Sequence, residues 1–372
     1  MEPPDRPPPQ SYPLTITSIK IRPPSSLNQL NTMAAVLPEI NNDPSKIQLE
    51  RITHVYFEHP DLEKFDAFAK DFGLIPAYQD TDVNLYRGYG KDPYCYVARK
   101  SSTGAQAFGG AAFVAQTEAD FDKAAALDGA VVSELSPFPG GGRRVTLKSP
   151  SGFLFHVVHG QEERSPNESA SSSLAESQGP FNGSLVKKRF GQFQRFRHGP
   201  ATVHKLGHYG FIVGDWAKEV TWYTDNFNFV PSDVQYEGEN GDLDVITFLH
   251  LDLGERFSDH HSLFLSRAPP GEHDRMHHTS YEVEDFDTQL LGHDWLASKG
   301  YYSVWGVGRH ILGSQIFDYW RDPSGFTIEH YADGDLVNVK TGTKRSKAGP
   351  LSVWGPEFSA DMTADGTRAT AA

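Results

Sequence analysis

One cysteine, Cys95, stands in 372 residues, so the chain can form no intramolecular disulfide and no cysteine-based metal cluster. A lone cysteine fits a reducing compartment, and a cytoplasmic location is expected. Long apolar runs are also missing. Nothing approaches the ~18 consecutive apolar residues of a membrane-spanning helix, and the N-terminus lacks the apolar core of a secretory signal. Positive charge is scarce, with 34 Lys and Arg against 48 Asp and Glu and a net charge of -14. Nucleic acids and anionic membranes bind clustered cations, so neither is an expected partner.

What is present is long enough for two domains or for one domain with an internal duplication. Residues 1–48 begin MEPPDRPPPQSYP and read as a disordered extension, too poor in periodic apolar residues to offset chain entropy. Residues 161–200 read as a low-complexity linker that opens QEERSPNESASSSLAESQGPFNG and ends in a short basic, solvated run, VKKRFGQFQRFRHG. Between and after them, 49–160 and 201–340 repeat one pattern. Four segments start with a strand signature: THVYF at 53, GAAFVA at 110, GHYGFIV at 207 and HTSYEV at 278. An amphipathic helical stretch and several alternating strands follow each. The expected fold is α+β, with four βαβββ modules paired into two half-barrel domains.

Strand register then sorts the side chains, because alternate residues face opposite sides of a sheet. With His54, Gly110, His208 and His278 taken as equivalent, an aromatic follows three residues later in each segment: Phe57, Phe113, Phe211 and Tyr281. Those aromatics face the helices, so the reference residues face the concave side. On this register His278 points into the cavity and His277 to the helix side. KSPSGFLFHVV and RDPSGFTIEHY align the ends of the halves and match His156 with Glu329. The same alignment sets Pro93 opposite His261 and Thr146 opposite Tyr319.

His208, His278 and Glu329 therefore share one inner face. Two neutral imidazoles and a carboxylate form the facial triad of non-haem Fe(II) oxygenases, which leaves three coordination positions open. A substrate with two adjacent hydroxyls suits such a centre, because losing one proton on binding leaves it nearly neutral. A carboxylate on the inward face of a strand is also expensive unless paired or bound to a cation. The first half cannot build the same centre, since Gly110, Pro93 and Thr146 replace His278, His261 and Tyr319. His54 and His156 remain there as remnants, and a scaffold or subunit-contact role is expected.

The stretches LGHYGFIV, DHHSLFL, HHTSYEV, GVGRHILGSQIFDYW and DPSGFTIEHY resemble the second domain of the type I extradiol, catechol 2,3-type dioxygenases of the vicinal oxygen chelate superfamily. The resemblance implies that His208, His278 and Glu329 bind Fe(II), or Mn(II) as in some members. It implies an acid-base role for His261 and hydrogen bonds to the substrate oxygens from His310 and Tyr319. The implied reaction is ring opening of a catechol with both atoms of O2 inserted, in a homo-oligomer. The tail, residues 341–372, contains LSVWGPEFSADM, which resembles the segment that covers the active site in some members. ILGSQ after His310 departs from the polar Asn-Asp of some biphenyl-type members. Three rivals share the architecture. A 2-oxo-acid dioxygenase of the hydroxyphenylpyruvate type does not need the His261, His310 and Tyr319 set. A glyoxalase-like enzyme usually draws ligands from more than one half. A non-catalytic ligand-sequestering protein needs neither the triad nor an acid-base histidine; His260, His277 and His330 are read as structural or as supports behind the residues of the site.

Overall fold

The computed structural model describes residues 36–165 and 183–362, apart from 186, 188, 189, 192 and 194. Residues 1–35 of the expected extension, 166–182 of the expected linker and 363–372 of the tail lie outside the described residues.

The first half runs β1 (Leu49–His59), α1 (Leu62–Phe72), β2 (Ile75–Gln79), β3 (Val83–Arg87), β4 (Tyr96–Lys100), β5 (Ala107–Ala115), α2 (Glu118–Ala125), β6 (Val131–Glu134), β7 (Arg143–Lys148) and β8 (Leu154–His159). The second runs β9 (Val203–Val213), α3 (Trp216–Asn226), β10 (Phe229–Glu237), β11 (Leu243–Leu251), β12 (Ser258–Asp259), β13 (Leu263–Arg267), β14 (Arg275–Val283), α4 (Phe286–Ser298), β15 (Tyr302–His310), β16 (Ile316–Arg321) and β17 (Thr327–Ala332). Short strands β18 (Leu336–Val337), β19 (Lys344–Lys347) and β20 (Ser352–Trp354) complete the chain. Setting aside β12 and the last three, this is strand, helix, three strands, four times over.

Each helix starts the same way. Asp61, Thr117, Asp215 and Asp285 sit at the N-caps and accept hydrogen bonds from the backbone N–H of Lys64, Asp120, Lys218 and Thr288. Such caps satisfy donors that a helix leaves unpaired, for about 1 kcal/mol each. The modules pair about their first strands, β1 with β5 and β9 with β14, both antiparallel. The first sheet has the order β2-β3-β4-β1-β5-β8-β7-β6, and the second repeats it as β10-β11-β13-β9-β14-β17-β16-β15, with β19 and β20 added at its edges.

The halves share a core. Phe155 of β8 packs against Trp222, Tyr223, Phe227 and Phe229 of the second half at centroid distances of 4.7 to 6.4 Å. In return, Phe72 of α1 stacks on His330 at 3.7 Å, and its carbonyl lies 2.7 Å from His330 Nε2. Ordered chain also begins before residue 49. Ile47 is buried and donates its N–H to Asn226 O at 2.9 Å, so the stretch from 36 to 48 includes packed residues that the sequence assigns to the extension.

Burial also sets a pH response. It pushes His59 and His156 down to about 3 and His250 down to about 4, below the usual histidine range. The folded state therefore keeps these rings neutral, while an unfolded chain binds protons below about pH 6.5. Their contribution to stability is complete above that pH and shrinks as pH falls toward 4, by up to about 1.4 kcal/mol per unit per ring. Urea midpoints should fall steeply between pH 6.5 and 4.5; a flat profile would contradict neutral burial of these rings.

Candidate metal centre

Three adjacent strands, β9, β14 and β17, carry the centre. Ser280 of β14 lies opposite His208 on one side and opposite Glu329 on the other, and His278 stands two residues before it. Directly paired residues and residues two apart share a face, so all three side chains point inward over a small serine. Gly210, opposite His278, leaves room for Phe264. A Cβ there would come within 1.8 Å of the Phe264 ring, which instead lies nearly parallel to His278.

His208 Nε2, His278 Nε2 and Glu329 Oε2 form a near-equilateral triangle with sides of 3.1, 3.3 and 3.4 Å. Ligands 90° apart around an ion at about 2.1–2.2 Å are separated by about 3.0–3.1 Å, so the triangle has the size of one octahedral face. All three residues are buried, and both Glu329 carboxylate oxygens and His208 Nδ1 lack a hydrogen-bond partner. Buried polar atoms left in this condition are costly, and a cation among them removes the cost for the carboxylate. Burial lowers the His278 pKa, with His277 and His208 adding to the effect, which keeps the ring in the form that ligates. The donor set fits a divalent transition ion.

The other three residues singled out from the sequence lie around this triangle. The His261 ring is centred 4.0 Å from that of His208, and burial holds its pKa well down. Tyr319 lies opposite Glu329 in the β16–β17 register, and its hydroxyl is 3.0 Å from His310 Nε2. His310 Nδ1 faces the carbonyl of Leu351 at 3.1 Å, which can only accept. In the neutral ring Nδ1 therefore donates and Nε2 accepts from the tyrosine. Burial lowers His310 and raises Tyr319 well above the tyrosine range, so both stay neutral.

A cavity of about 170 Å³ opens onto the triangle, walled by Ile246, Phe248, Phe264, Trp305, Leu351 and Phe358. A second cavity of about 450 Å³ shares Ile212, His277 and Met362 with it. Residues 351–362 close one side: Trp305 Nε1 donates to Pro356 O at 3.1 Å, and Met362 is buried near Trp305 and Tyr319.

His277 departs from expectation. A register shift between Met276 and His278 turns it out of strict alternation, so it lines both cavities instead of facing the helices. Its Nδ1 lies 2.6 Å from His278 Nδ1. His260 likewise meets His261 Nδ1 to Nδ1 at 3.1 Å and reaches Asp233 Oδ2 with Nε2 at 2.7 Å. Asp233 drew no notice in the sequence; the repeated His-His dipeptide was the one available signal.

The equivalent place in the first half is filled. Gly110 has φ +103°, and a Cβ on it would come within 2.6 Å of His156 Nε2. His156 Nε2 meets Gly109 O at 2.8 Å and its Nδ1 meets Thr146 Oγ1 at 3.0 Å, while His54 Nε2 meets Tyr56 OH at 2.9 Å. The remnant histidines thus use these nitrogens on protein partners.

Paired βαβββ modules around a buried His/His/Glu triangle define the class: a fold duplicated in one chain, with a candidate metal site in one half. Residues 205–330 match the model of the Glyoxalase/Bleomycin resistance protein/Dioxygenase superfamily. Metapyrocatechase 2 of Cupriavidus necator is 29% identical over 289 residues, spanning 77% of this chain and 82% of that protein. Homoprotocatechuate 2,3-dioxygenase of Arthrobacter globiformis has a similar structure, with TM-score 0.69 and 16% identity over 88% of this chain and 93% of its own. The Mn(II)-bound glyoxalase of Novosphingobium aromaticivorans gives TM-score 0.67 and 21% identity over 85% and 94%. At these identities the two structures speak for the fold alone. Among the described residues no helix is long and apolar enough to cross a membrane.

Proposed function

We propose that this chain is an Fe(II)-dependent extradiol dioxygenase that opens a catechol ring and incorporates both atoms of O2. The observation that carries the reading is the combination of the open His208, His278 and Glu329 face with His261, His310 and Tyr319 around one small, apolar-walled cavity. The likeness to a metapyrocatechase over most of both chains supports it.

His208, His278 and Glu329 would hold the ion, with Mn(II) as the other metal this donor set accepts. When bound, the metal supplies the redox coupling that lets a catecholate react with O2. The chain's own residues do the rest. Tyr319, kept protonated by burial, gives its one hydrogen to His310 Nε2, which orients the phenol so that its oxygen would accept a hydrogen bond from a hydroxyl of the bound ring. His261, kept neutral, accepts and returns a proton beside the ring, a task suited to imidazole. The apolar walls and residues 351–362 exclude water from the reacting groups.

The hydroxyphenylpyruvate-type and ligand-sequestering readings leave the Tyr319–His310 pair and His261 without a task. The test is anaerobic loading with Fe(II), then a panel of catechols with O2 consumption and visible absorbance followed. Stoichiometric uptake with the appearance of a coloured ring-opened product is expected. Iron-loaded protein that consumes no O2 with any catechol would overturn the proposal.

A further inference from the structure

We infer that Asp233 and His260 are positioning residues that lock His261 in one tautomer, with Nδ1 protonated and Nε2 turned toward the cavity. The consequence for catalysis rests on the dioxygenase reading; the lock itself does not.

Donors and acceptors decide the tautomer. Asp233 is buried on β10, and its Oδ2 lies 2.7 Å from His260 Nε2. A carboxylate can only accept, so His260 Nε2 carries a hydrogen. In a neutral His260 the other nitrogen, Nδ1, is then an acceptor. It faces His261 Nδ1 at 3.1 Å, and two ring nitrogens at that distance bond only when one of them holds the hydrogen. That hydrogen belongs to His261 Nδ1, which leaves its Nε2 lone pair free. The same logic fixes the tautomer of metal-bound histidines and of catalytic imidazoles, where the group behind the ring decides which nitrogen faces the substrate.

His260 is held for this task on several sides. Its N–H donates to Asp335 O at 3.0 Å, and its carbonyl accepts from Ser232 Oγ at 2.6 Å. The β12–β18 pair brackets the segment that carries it. Phe248 packs beside both rings, 5.9 Å from His260 and 5.1 Å from His261 by centroid. His261 lies in the same short connection to β13, so its backbone gives less support than a strand would. Its ring makes its one hydrogen bond among the described residues to His260. Histidine pairs recur at 277 and 278, but there His277 lines the cavities and, among the described residues, its ring hydrogen-bonds to His278 and to no carboxylate. The relay is a property of the 260–261 pair.

Two substitutions separate orientation from packing. His260→Phe keeps the ring volume and removes both nitrogens, whereas His260→Asn keeps a side-chain carbonyl near the place of Nδ1, able to accept from His261. Each is prepared with 15N-histidine, loaded with Zn(II) as a diamagnetic probe, and measured by side-chain 15N NMR. The wild-type protein is expected to show a protonated Nδ1 and an unprotonated Nε2 for His261. His260→Phe should move those two shifts toward a tautomer mixture, and His260→Asn should restore them. In iron-loaded enzyme, kcat should fall about 10–100-fold in His260→Phe, with KM for the catechol changed less than about twofold and with partial recovery in His260→Asn. Unchanged His261 shifts in folded His260→Phe would overturn the lock. A tautomer change without loss of kcat would leave the lock standing and remove its catalytic purpose. Zn-loaded spectra report on His261 even if no catechol is cleaved, which keeps failure of this inference distinct from failure of the proposed function.

Discussion

Glu329→Gln is expected to abolish metal binding and to lower kcat/KM by more than about 10³-fold, beyond the 10–100-fold that loss of a residue behind the ligands usually causes. The carboxylate is the one anionic member of the triangle, and its oxygens have no hydrogen-bond partner in the fold. An amide presents a weaker, neutral donor to the ion. The same substitution should act in the opposite direction on the metal-free protein. A buried, unpaired carboxylate costs on the order of 1–3 kcal/mol, so the metal-free variant should unfold no earlier than metal-free wild type. Added Fe(II) should raise the wild-type melting temperature, with about 2.7 kcal/mol gained at one hundred times Kd, and should leave the variant unmoved. Equal metal response in both proteins would show that Glu329 is not a ligand.

The second large effect is on stability. Phe155→Ala is expected to cost about 3–5 kcal/mol, the range for emptying a large aromatic site. Phe155 is fully buried and touches Phe113 of its own half at 5.0 Å together with four aromatics of the other. Because the deletion empties a shared core, both halves should lose stability together. Urea unfolding followed by tryptophan fluorescence and by far-UV circular dichroism should give one coincident transition, shifted to lower urea. All six tryptophans of the chain lie in the second half, so fluorescence reports on that half. A fluorescence transition that stayed in place while the circular dichroism split in two would contradict a common core.

The parts of this architecture visible in the sequence are those that repeat. Period-2 strands and helical stretches recur four times, and each repeat checks the others, although α4 lacks the one-sided apolar face expected of it. The pairing of His54 with Ala112 and of His208 with Ser280 makes Gly110 the counterpart of His278, as the sequence alignment has it. His208, His278 and Glu329 were legible as neighbours because the fourfold repeat set them in register with one another. His277 was not, since a register shift cannot be read from alternation. Asp233 was hidden for a different reason: it reaches His260 from a separate strand, and nothing in the local sequence of either residue marks the contact. Ile47 escaped notice because one buried residue at the end of a Pro-rich stretch makes no period.

A single turnover with labelled oxygen tests the ring-opening chemistry itself. Fe(II)-loaded protein is mixed anaerobically with a catechol and then exposed to 18O2, and the product is analysed by mass spectrometry. A ring-opened product carrying both labelled atoms is expected, with one O2 consumed per ring. A quinone without label, formed as O2 is reduced to peroxide, or an intact catechol recovered from iron-loaded protein would contradict it.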